Sequence, residues 1–406
     1  MTNDIAPLTD TRRLLDRPRW VRTWGASPQA PDASVLAVPP FADATLRQVI
    51  RISGGGRRAR VRLSNEYGTT PLVIGGARVG LAVSAGGIEA GSDRALTFAG
   101  RPTAVVPAGA PLLSDPVDLS LPPLSRIVIS LYLPGSVERC TCHGSDLQTG
   151  WSIRGDALAA STLPERAAPL PAQALLSAVE VLAEAQARAI VVIGDSLTEG
   201  TCSTPGAHRS WPDVLGERLV ERGGPSRWIS NQGINGNRIL NHGFGLSALA
   251  RFDRDVLATP GIGCVIVTGG GGDVAISFAP RHEGGPLAEF LVGFPGGPVT
   301  ADDLIAGYCQ LIARAQAGGV RICGATLVPY GASPLFTPEG ELVRQAVNAW
   351  IRSSGAFDAV LDFDAVWRDP ACPSRVREDY LAADLLHGND TGYRALANSI
   401  DLSLFG

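Results

Sequence analysis

The sequence predicts an antiparallel β-sandwich of jelly-roll-like type in residues 1–185, then an α/β region in residues 186–406 whose doubly wound parallel sheet has helices on both faces. At 406 residues the chain exceeds one ordinary core, so two domains are expected. Short apolar runs separated by glycines fill the first half, as in antiparallel sheets. In the second half, β-branched apolar runs alternate with segments of helical period, as in parallel α/β sheets.

In the first half, apolar and polar residues partly alternate, which is typical of strands with one solvated face. The predicted strands are residues 46–53, 58–64, 72–74, 77–81 and 127–133. The first two of these strands flank three glycines and the next two flank a pair of glycines, so each pair predicts a hairpin. The Ala- and Pro-rich residues 157–170 predict the connection out of this domain, and residues 170–187 fit either a strand or a helix.

The second half opens with the apolar run 190–193, which predicts a strand buried on both faces and ending in the small-residue turn 194–196. The further predicted strands are residues 228–230, 264–268, 320–328 and 359–363, and the predicted helices are residues 211–220, 246–257, 302–317, 339–353 and 391–404. Ser210 and Thr300 stand where two of these helices need N-caps.

Composition narrows the class of protein. A formal net charge of −4 without a basic tract argues against nucleic-acid and anionic-membrane partners. No apolar run approaches the roughly 20 residues of a membrane span. The N-terminus lacks the basic and apolar regions of a secretory signal, which predicts a cytoplasmic protein, with export of a processed form left open. The 7 cysteines have no metal-ligand spacing, so no metal is expected, and no motif indicates a cofactor.

Ser196 follows the buried strand at the carboxyl edge of the predicted sheet, where open α/β folds bind ligands. By itself this serine fits equally well as a helix N-cap. Near the other end of the chain, Asp384 and His387 stand three residues apart. A serine hydroxyl needs a base to take its proton, and that base needs a group that orients it and stabilises its cation. Asp384 and His387 can supply both functions.

Four sequence blocks together resemble the GDSL/SGNH hydrolase superfamily of serine esterases. They are Gly194-Asp195-Ser196-Leu197, Asn231-Gln232-Gly233-Ile234-Asn235-Gly236, Gly270-Gly271-Gly272-Asp273 and Asp384-Leu385-Leu386-His387. The tail at residues 387–393 resembles a two-domain bacterial subgroup with an N-terminal β-domain. The resemblance implies an SGNH-type α/β domain, with Ser196 as nucleophile, His387 as general base and then acid, and Asp384 orienting His387.

The resemblance also implies an oxyanion hole formed by the backbone N–H groups of Ser196 and Gly236 and by an asparagine, at whose position this chain has Gly272. Three alternatives follow. The amide of Asn235 or Asn237 replaces the missing one, the backbone at residues 271–272 turns inward, or the enzyme is slow or acts on activated acyl compounds. Asp273 is expected only to brace this loop.

Five residues are candidate substrate contacts: Asp195, Asn235, Asn237, His143 and Phe278. His143 would line the entrance, with a hydrogen-bonded loop histidine as the alternative. Phe278 belongs to the Gly- and Pro-rich segment 274–300, which also carries His282, Phe290 and Phe294. Long loops in compact domains are often functional, so this segment is predicted to cover the acyl or alcohol pocket, with a surface insertion as the alternative.

The function predicted from these observations is metal-independent hydrolysis of carboxylic esters through an acyl-enzyme on Ser196. Small acyl esters, with acetylated carbohydrates among them, are the substrates that the subgroup implies. Two alternatives remain at this point: an acyltransferase that uses the same triad, and a non-catalytic binding protein on a decayed hydrolase scaffold, which the glycine at 272 suggests. The oligomeric state is not indicated.

Overall fold

The computed structural model describes residues 17–31, 38–83, 86–144, 147–280 and 284–406. Its first region is rich in antiparallel strands. They are β1 Arg19–Gly25, β2 Phe41–Arg51, β3 Gly56–Ser64, β4 Leu72–Ile74, β5 Gly76–Leu81, β6 Arg94–Leu96, β7 Ala104–Val106, β8 Pro111–Leu113, β9 Val117–Leu121, β10 Arg126–Val137, β11 Cys142–His143, β12 Thr149–Arg154, β13 Ala168–Pro169, β14 Gln173–Ala174 and β15 Leu176–Ala183.

Two larger sheets hold most of these strands. One has the order β1-β15-β3-β8 with β9 also paired to β3, and the other has the order β13-β12-β2-β10-β5-β6. Val61 and Val179 of the first sheet share one buried apolar core with Leu46 and Leu131 of the second. The predicted antiparallel β-rich region is confirmed, and its jelly-roll character stays a prediction.

Both predicted hairpins are wrong. Strand β2 pairs with β10 and β12, whereas β3 pairs with β15, β8 and β9 in the other sheet. The glycines between them connect the sheets: the Trp228 ring lies so close to Gly54 that a Cβ there would be 1.9 Å from it. Likewise β4 pairs with β7, and β5 pairs with β10 and β6. The ambiguous segment 170–187 contains strand β15.

The second region alternates strands and helices. Its strands are β16 Arg188–Gly194, β17 Arg227–Gly233, β18 Ile262–Val267, β19 Arg321–Ala325, β20 Ala359–Leu361, β21 Arg368–Asp369 and β22 Cys372–Val376. Its helices are α1 Ser196–Glu199, α2 Trp211–Arg222, α3 Ala248–Phe252, α4 Gly271–Phe278, α5 Pro286–Val292, α6 Ala301–Ala317, α7 Pro338–Ser353, α8 Phe363–Trp367 and α9 Asp390–Ser399.

Strands β16 to β20 form a parallel sheet of order β17-β16-β18-β19-β20. Side chains of β16 alternate between its faces: Val191 and Ile193 pack with helices α3 to α7, whereas Ile190 and Val192 pack with α2, α8 and α9. Both faces of this sheet are therefore covered by helices, which explains the uninterrupted apolar run of its interior strand β16.

Several predicted elements differ in extent from the observed ones. The helix predicted over residues 246–257 is α3 followed by a π-helical turn, Asp253–Leu257. Strand β19 ends at Ala325, and helix α8 was not predicted. The last helix stops at Ser399 and is followed by the 3₁₀ turn Leu402–Phe405.

The two regions are joined by polar contacts and by shared core packing. Arg22 donates its backbone N–H to Pro260, and the Ser27 hydroxyl donates to Asp255 at 2.6 Å. Trp228 of β17 belongs to the apolar core of the first region. The predicted domain boundary falls between β15 and β16 and stays a prediction. In the part of the chain that the structure describes, no helix combines the length and apolarity that crossing a membrane requires.

Candidate active site

Ser196 is the first residue of α1, directly beyond strand β16. The N-cap of this helix is Asp195, whose carboxylate accepts the backbone N–H of Leu197 at 3.1 Å. Helix α1 ends within one turn at Gly200, which adopts φ 103°, a conformation that favours glycine. Because Asp195 caps the helix, the Ser196 hydroxyl is left for another partner.

That partner is His387. Its Nε2 lies 2.7 Å from the Ser196 Oγ, and its Nδ1 lies 2.5 Å from Oδ2 of Asp384. The other carboxylate oxygen, Oδ1 of Asp384, accepts the backbone N–H groups of Leu386 and His387. The structure therefore brings the three residues of the predicted triad into one hydrogen-bonded chain, although 191 residues separate Ser196 from His387.

The negative charge of this hydrogen-bonded triad lies on Asp384. Burial alone would raise the pKa of this carboxyl group, but hydrogen bonds from the ring and backbone of His387 outweigh burial and hold the pKa well below its usual range. Asp384 is therefore an anion that fixes the proton of His387 on Nδ1 and leaves Nε2 to accept the serine proton.

Gly236 lies beside Ser196 in the turn 234–237, which is closed by a hydrogen bond from the Asn237 N–H to the Ile234 carbonyl. It has φ +67°, and a Cβ there would lie 2.7 Å from Phe294, so only glycine fits. Within the described residues, the backbone N–H groups of Ser196 and Gly236 have no hydrogen-bond acceptor, and both residues line the same cavity. Their role as oxyanion donors stays a prediction.

Gly272 has a different environment from the one predicted. It lies in the first turn of α4, where its backbone N–H group lowers the pKa of the Asp195 carboxyl. A Cβ at this position would lie 2.5 Å from the Asn237 carbonyl oxygen. Gly272 thus leaves space for that carbonyl, and its expected place in the oxyanion hole stays a prediction. Burial raises the pKa of Asp195 to about 6.

The two candidate asparagines, Asn235 and Asn237, have different environments. Asn237 is buried; its amide donates to the Leu246 carbonyl at 2.8 Å and its Oδ1 accepts from Arg251. Asn237 therefore supports the loop, and its predicted substrate contact is wrong. Asn235 is exposed and lines the cavity beside Ser196. The loop residue Asp273, expected to brace, does so by accepting the N–H groups of Ile239 and Leu240.

A cavity of about 430 Å³ opens at Ser196, and we call it the Ser196 cavity. Its wall is mostly apolar, with side chains contributed by Val274, Ala275, Ile276, Leu287, Phe290, Val328, Leu335 and Leu386. Arg344 also lines it but is held by Glu341 and Asp364. This wall could not be predicted from the sequence, because its residues come from four separate segments without common spacing.

The segment 274–300 is not structureless, which corrects that prediction. It contains the end of α4 and helix α5, and Phe290 of α5 lines the Ser196 cavity. The rings of Phe290 and Phe294 lie 4.9 Å apart, and Phe294 lies 4.4 Å from Phe244 beside the Gly236 turn. Phe278 packs beside Gly340 of α7 and does not line the cavity. His282 lies outside the described residues.

His143 lies elsewhere. It is buried between the two regions, with Nδ1 2.9 Å from the Ser27 carbonyl and Nε2 3.5 Å from Glu199. Burial lowers the pKa of His143 to about 4, so the imidazole is neutral at pH 7. It lines a separate polar cavity, so the alternative interpretation of a hydrogen-bonded structural histidine fits it better, although it lies in strand β11 and not in a loop.

Sequence reasoning missed Arg251, a fully buried cation below the site. Its guanidinium donates to the carbonyls of Gly194 and Gln232, at the carboxyl ends of the adjacent strands β16 and β17, and to Asp255 at 3.0 Å. It thereby ties the Ser196 turn to the Gly236 turn. The spacing of Arg251 and Asp255, four apart on a predicted helix, was the available signal.

The chain is similar to known hydrolases. The sequence profile of the GDSL-like lipase/acylhydrolase family matches residues 192–395. Among solved structures, a lipase/acylhydrolase from Enterococcus faecalis is 19% identical, with 52% of this chain and 92% of that chain covered and a TM-score of 0.39. A GDSL-like lipase from Bacteroides thetaiotaomicron is 17% identical, with 54% and 88% covered and a TM-score of 0.38. A member of the lipolytic G-D-S-L family from Veillonella parvula is 16% identical, with 52% and 96% covered and a TM-score of 0.36. No curated protein matches the sequence.

Proposed function

Since this chain belongs to the GDSL-like lipase/acylhydrolase family, we propose that it hydrolyses carboxylic esters through an acyl-enzyme on Ser196. The observation that carries the proposal is the hydrogen-bonded chain from Asp384 through His387 to Ser196, where it meets an apolar cavity. A triad is recognised by such geometry and roles rather than by sequence position.

In the first half of the reaction, the Ser196 Oγ attacks the ester carbonyl carbon while Nε2 of His387 takes the hydroxyl proton. The carbonyl oxygen becomes an anion, which the N–H groups of Ser196 and Gly236 stabilise. His387 then protonates the leaving alkoxide, and the C–O bond breaks to give the alcohol and the acyl-enzyme. Asp384 stabilises the imidazolium that forms between these two proton transfers.

In the second half, water takes the place of the alcohol. His387 accepts a proton from water, the hydroxide attacks the acyl carbon, and the returning proton releases Ser196 and the carboxylic acid. No step requires a metal or a cofactor. Loss of one oxyanion donor typically lowers kcat by about 10²–10³-fold. Because this chain has no asparagine at position 272, stabilisation of the oxyanion depends on the two backbone N–H groups.

The Ser196 cavity favours an acyl chain longer than acetyl. With about 430 Å³ and a largely apolar wall, it would be mostly unfilled by an acetyl group, and each buried CH₂ contributes about 0.8 kcal/mol. Leu287 and Phe290 of α5 extend this wall, so α5 belongs to the acyl site. The p-nitrophenyl esters from acetate to decanoate, with acetylated sugars in parallel, test this order. Equal kcat/KM from acetate to octanoate would contradict it and support the small-acyl expectation.

The triad is tested with Ser196→Ala, His387→Ala and the double variant. Each single change is expected to lower kcat by at least about 10³-fold, and the double variant to be no slower, because the two residues act as a unit. Ser333→Ala is the matched control, since Ser333 also lines the cavity but its hydroxyl accepts the backbone N–H of Leu335. A fluorophosphonate adduct on Ser196 is expected. Its absence, together with no ester hydrolysis by the native chain, would favour the non-catalytic scaffold, whereas unchanged activity in Ser196→Ala would refute Ser196 as the nucleophile.

Acyl transfer to an alcohol would use the same residues. Product analysis with an added alcohol acceptor distinguishes the two reactions, and we expect free carboxylic acid as the main product.

A further inference from the structure

A fourth side chain, from Cys202, contacts the triad at Asp384. Cys202 is exposed on the loop after α1, and its Sγ lies 3.4 Å from Oδ2 of Asp384, the oxygen that also receives Nδ1 of His387. One potential ligand atom from each of these three residues lies within 4.8 Å of the others. This group lies behind His387, on the side opposite Ser196.

The loop that carries Cys202 is hydrogen-bonded to the segment that carries Asp384 and His387. The Tyr393 hydroxyl donates to the Thr201 carbonyl at 2.6 Å. The backbone N–H and the hydroxyl of Thr204 both donate to the Asp390 carboxylate at 2.8 Å. The thiol is thus held beside Asp384 by contacts on both sides of Cys202.

From this geometry we propose that Cys202, Asp384 and His387 form a site for Zn²⁺ whose occupation stops the hydrolase. A thiolate, an imidazole nitrogen and a carboxylate oxygen are the ligands that Zn²⁺ takes in proteins, at about 2.0–2.3 Å. Ligand atoms of one tetrahedral ion lie ~3.5 Å apart at these bond lengths. The Sγ of Cys202 and Oδ2 of Asp384, 3.4 Å apart, already fit this spacing. Nδ1 of His387 and the same Oδ2, now 2.5 Å apart, must separate by about 1 Å as the ion replaces the proton between them. Water completes the tetrahedron, and exposed Cys202 admits the ion without passage through the Ser196 cavity.

Occupation changes which nitrogen of His387 carries the proton. Zn²⁺ takes the lone pair of Nδ1, the proton of Nδ1 moves to Nε2, and the thiol proton goes to solvent. A protonated Nε2 donates a hydrogen bond to Ser196 instead of accepting its proton, so general-base catalysis stops. The inhibitory effect rests on the proposed function, whereas the binding does not. Because the ion lies outside the cavity, kcat falls and KM is unchanged.

Binding is measured first, independently of activity, with Co²⁺ as a spectroscopic probe for the Zn²⁺ site. The inactive Ser196→Ala protein is expected to bind one Co²⁺, displaced by Zn²⁺, with a thiolate-to-cobalt charge-transfer band. Cys202→Ser in that background should lose the band and bind at least tenfold more weakly. Cys309→Ser is the control, since this cysteine is also exposed but lies in α6. Absence of the band, or equal Co²⁺ affinity with and without the Cys202 thiol, would overturn the site.

Inhibition is measured next in the active protein, with each variant compared with its own metal-free rate. Zn²⁺ is expected to lower kcat of the native chain and of Cys309→Ser, with recovery on chelation, and Cys202→Ser should need at least tenfold more Zn²⁺. Equal sensitivity of Cys202→Ser would overturn the switch. A chain without esterase activity would refute the proposed function and leave the cobalt result standing by itself.

Discussion

Restoring the family asparagine at position 272 should damage this protein rather than improve it. A Cβ on Gly272 would lie 2.5 Å from the Asn237 carbonyl oxygen, and real Cβ contacts essentially never fall below 3.0 Å. The carbonyl must therefore move by at least 0.5 Å, the difference between these two distances. Asn237 directly follows Gly236, so this movement reaches the proposed oxyanion donor.

The magnitude follows from a comparison with the neighbouring glycine. At Gly271 the nearest atom to an added Cβ is Oδ2 of Asp195 at 3.6 Å, which is ordinary contact. Both glycines lie in the first turn of α4. Each alanine gains up to about 1 kcal/mol of helix preference, but only Gly272→Ala meets overpacking, which costs about 1–3 kcal/mol. Gly272→Ala is therefore expected to be about 1–3 kcal/mol less stable than Gly271→Ala.

Variants at Gly272 and Gly271 should also differ in kcat. A misplacement of about 1 Å costs up to about 10²-fold in rate, so we expect kcat of Gly272→Ala and Gly272→Asn to fall by about 10–10²-fold, with Gly271→Ala within a few-fold of the native chain. Urea unfolding and p-nitrophenyl ester kinetics measure the two effects. A Gly272→Asn protein as stable and as active as the native chain would refute the steric argument, as would equal damage in Gly271→Ala.

Three further predictions concern residues around the site. Burial raises the pKa of Asp273 to about 7, so between about pH 4 and about pH 7 this carboxyl binds a proton in the folded protein but not in the unfolded chain. The stabilisation that Asp273 contributes is thus fully present below about pH 4 and is lost as the pH rises through about 7. Urea titrations at several pH values should therefore show the free energy of unfolding of the native chain falling with pH relative to that of Asp273→Asn. A difference between the two proteins that stays constant with pH would contradict this. Arg251→Met leaves Asp255 with one cation fewer and frees two strand-end carbonyls, so thermal unfolding should report a loss of about 3 kcal/mol, and a loss below about 1 kcal/mol would be contrary. Val328→Phe narrows the Ser196 cavity from a half-buried position and should lower kcat/KM for octanoate at least about tenfold more than for acetate; equal effects on both esters would place the acyl chain elsewhere.

Local signals in the sequence predicted the second region well. The helix expected after Thr300 begins at Ala301, because Thr300 and Asp303 form a capping box whose three-residue spacing is visible in the sequence. The run 190–193 lies in β16, since apolar residues on both faces are needed between two helical layers. Such features depend on residues within one turn or one strand of each other.

The first region could not be predicted in the same way, because its pairing is non-local. Strand β2 lies between β10 and β12, which are about 80 and 100 residues further along the chain. Glycines between two short apolar runs are compatible with a hairpin and equally with a crossing from one sheet to another. Only the ring of Trp228 packed on Gly54, a contact with the other half of the chain, distinguishes these outcomes.

The residues of the site also differ in how far they could be predicted from the sequence. Ser196, Asp384 and His387 were predictable because the chemistry requires those residue types, whereas the partner of a polar side chain such as Asn237 or His143 depends on loops that only the fold brings together. The glycine at 272 is the clearest case. From sequence it suggested a missing catalytic amide and hence a decayed enzyme, but the space beside it is occupied by the Asn237 carbonyl. An asparagine at 272 would displace the turn that contains Gly236, so in this chain glycine is the residue compatible with both proposed backbone oxyanion donors.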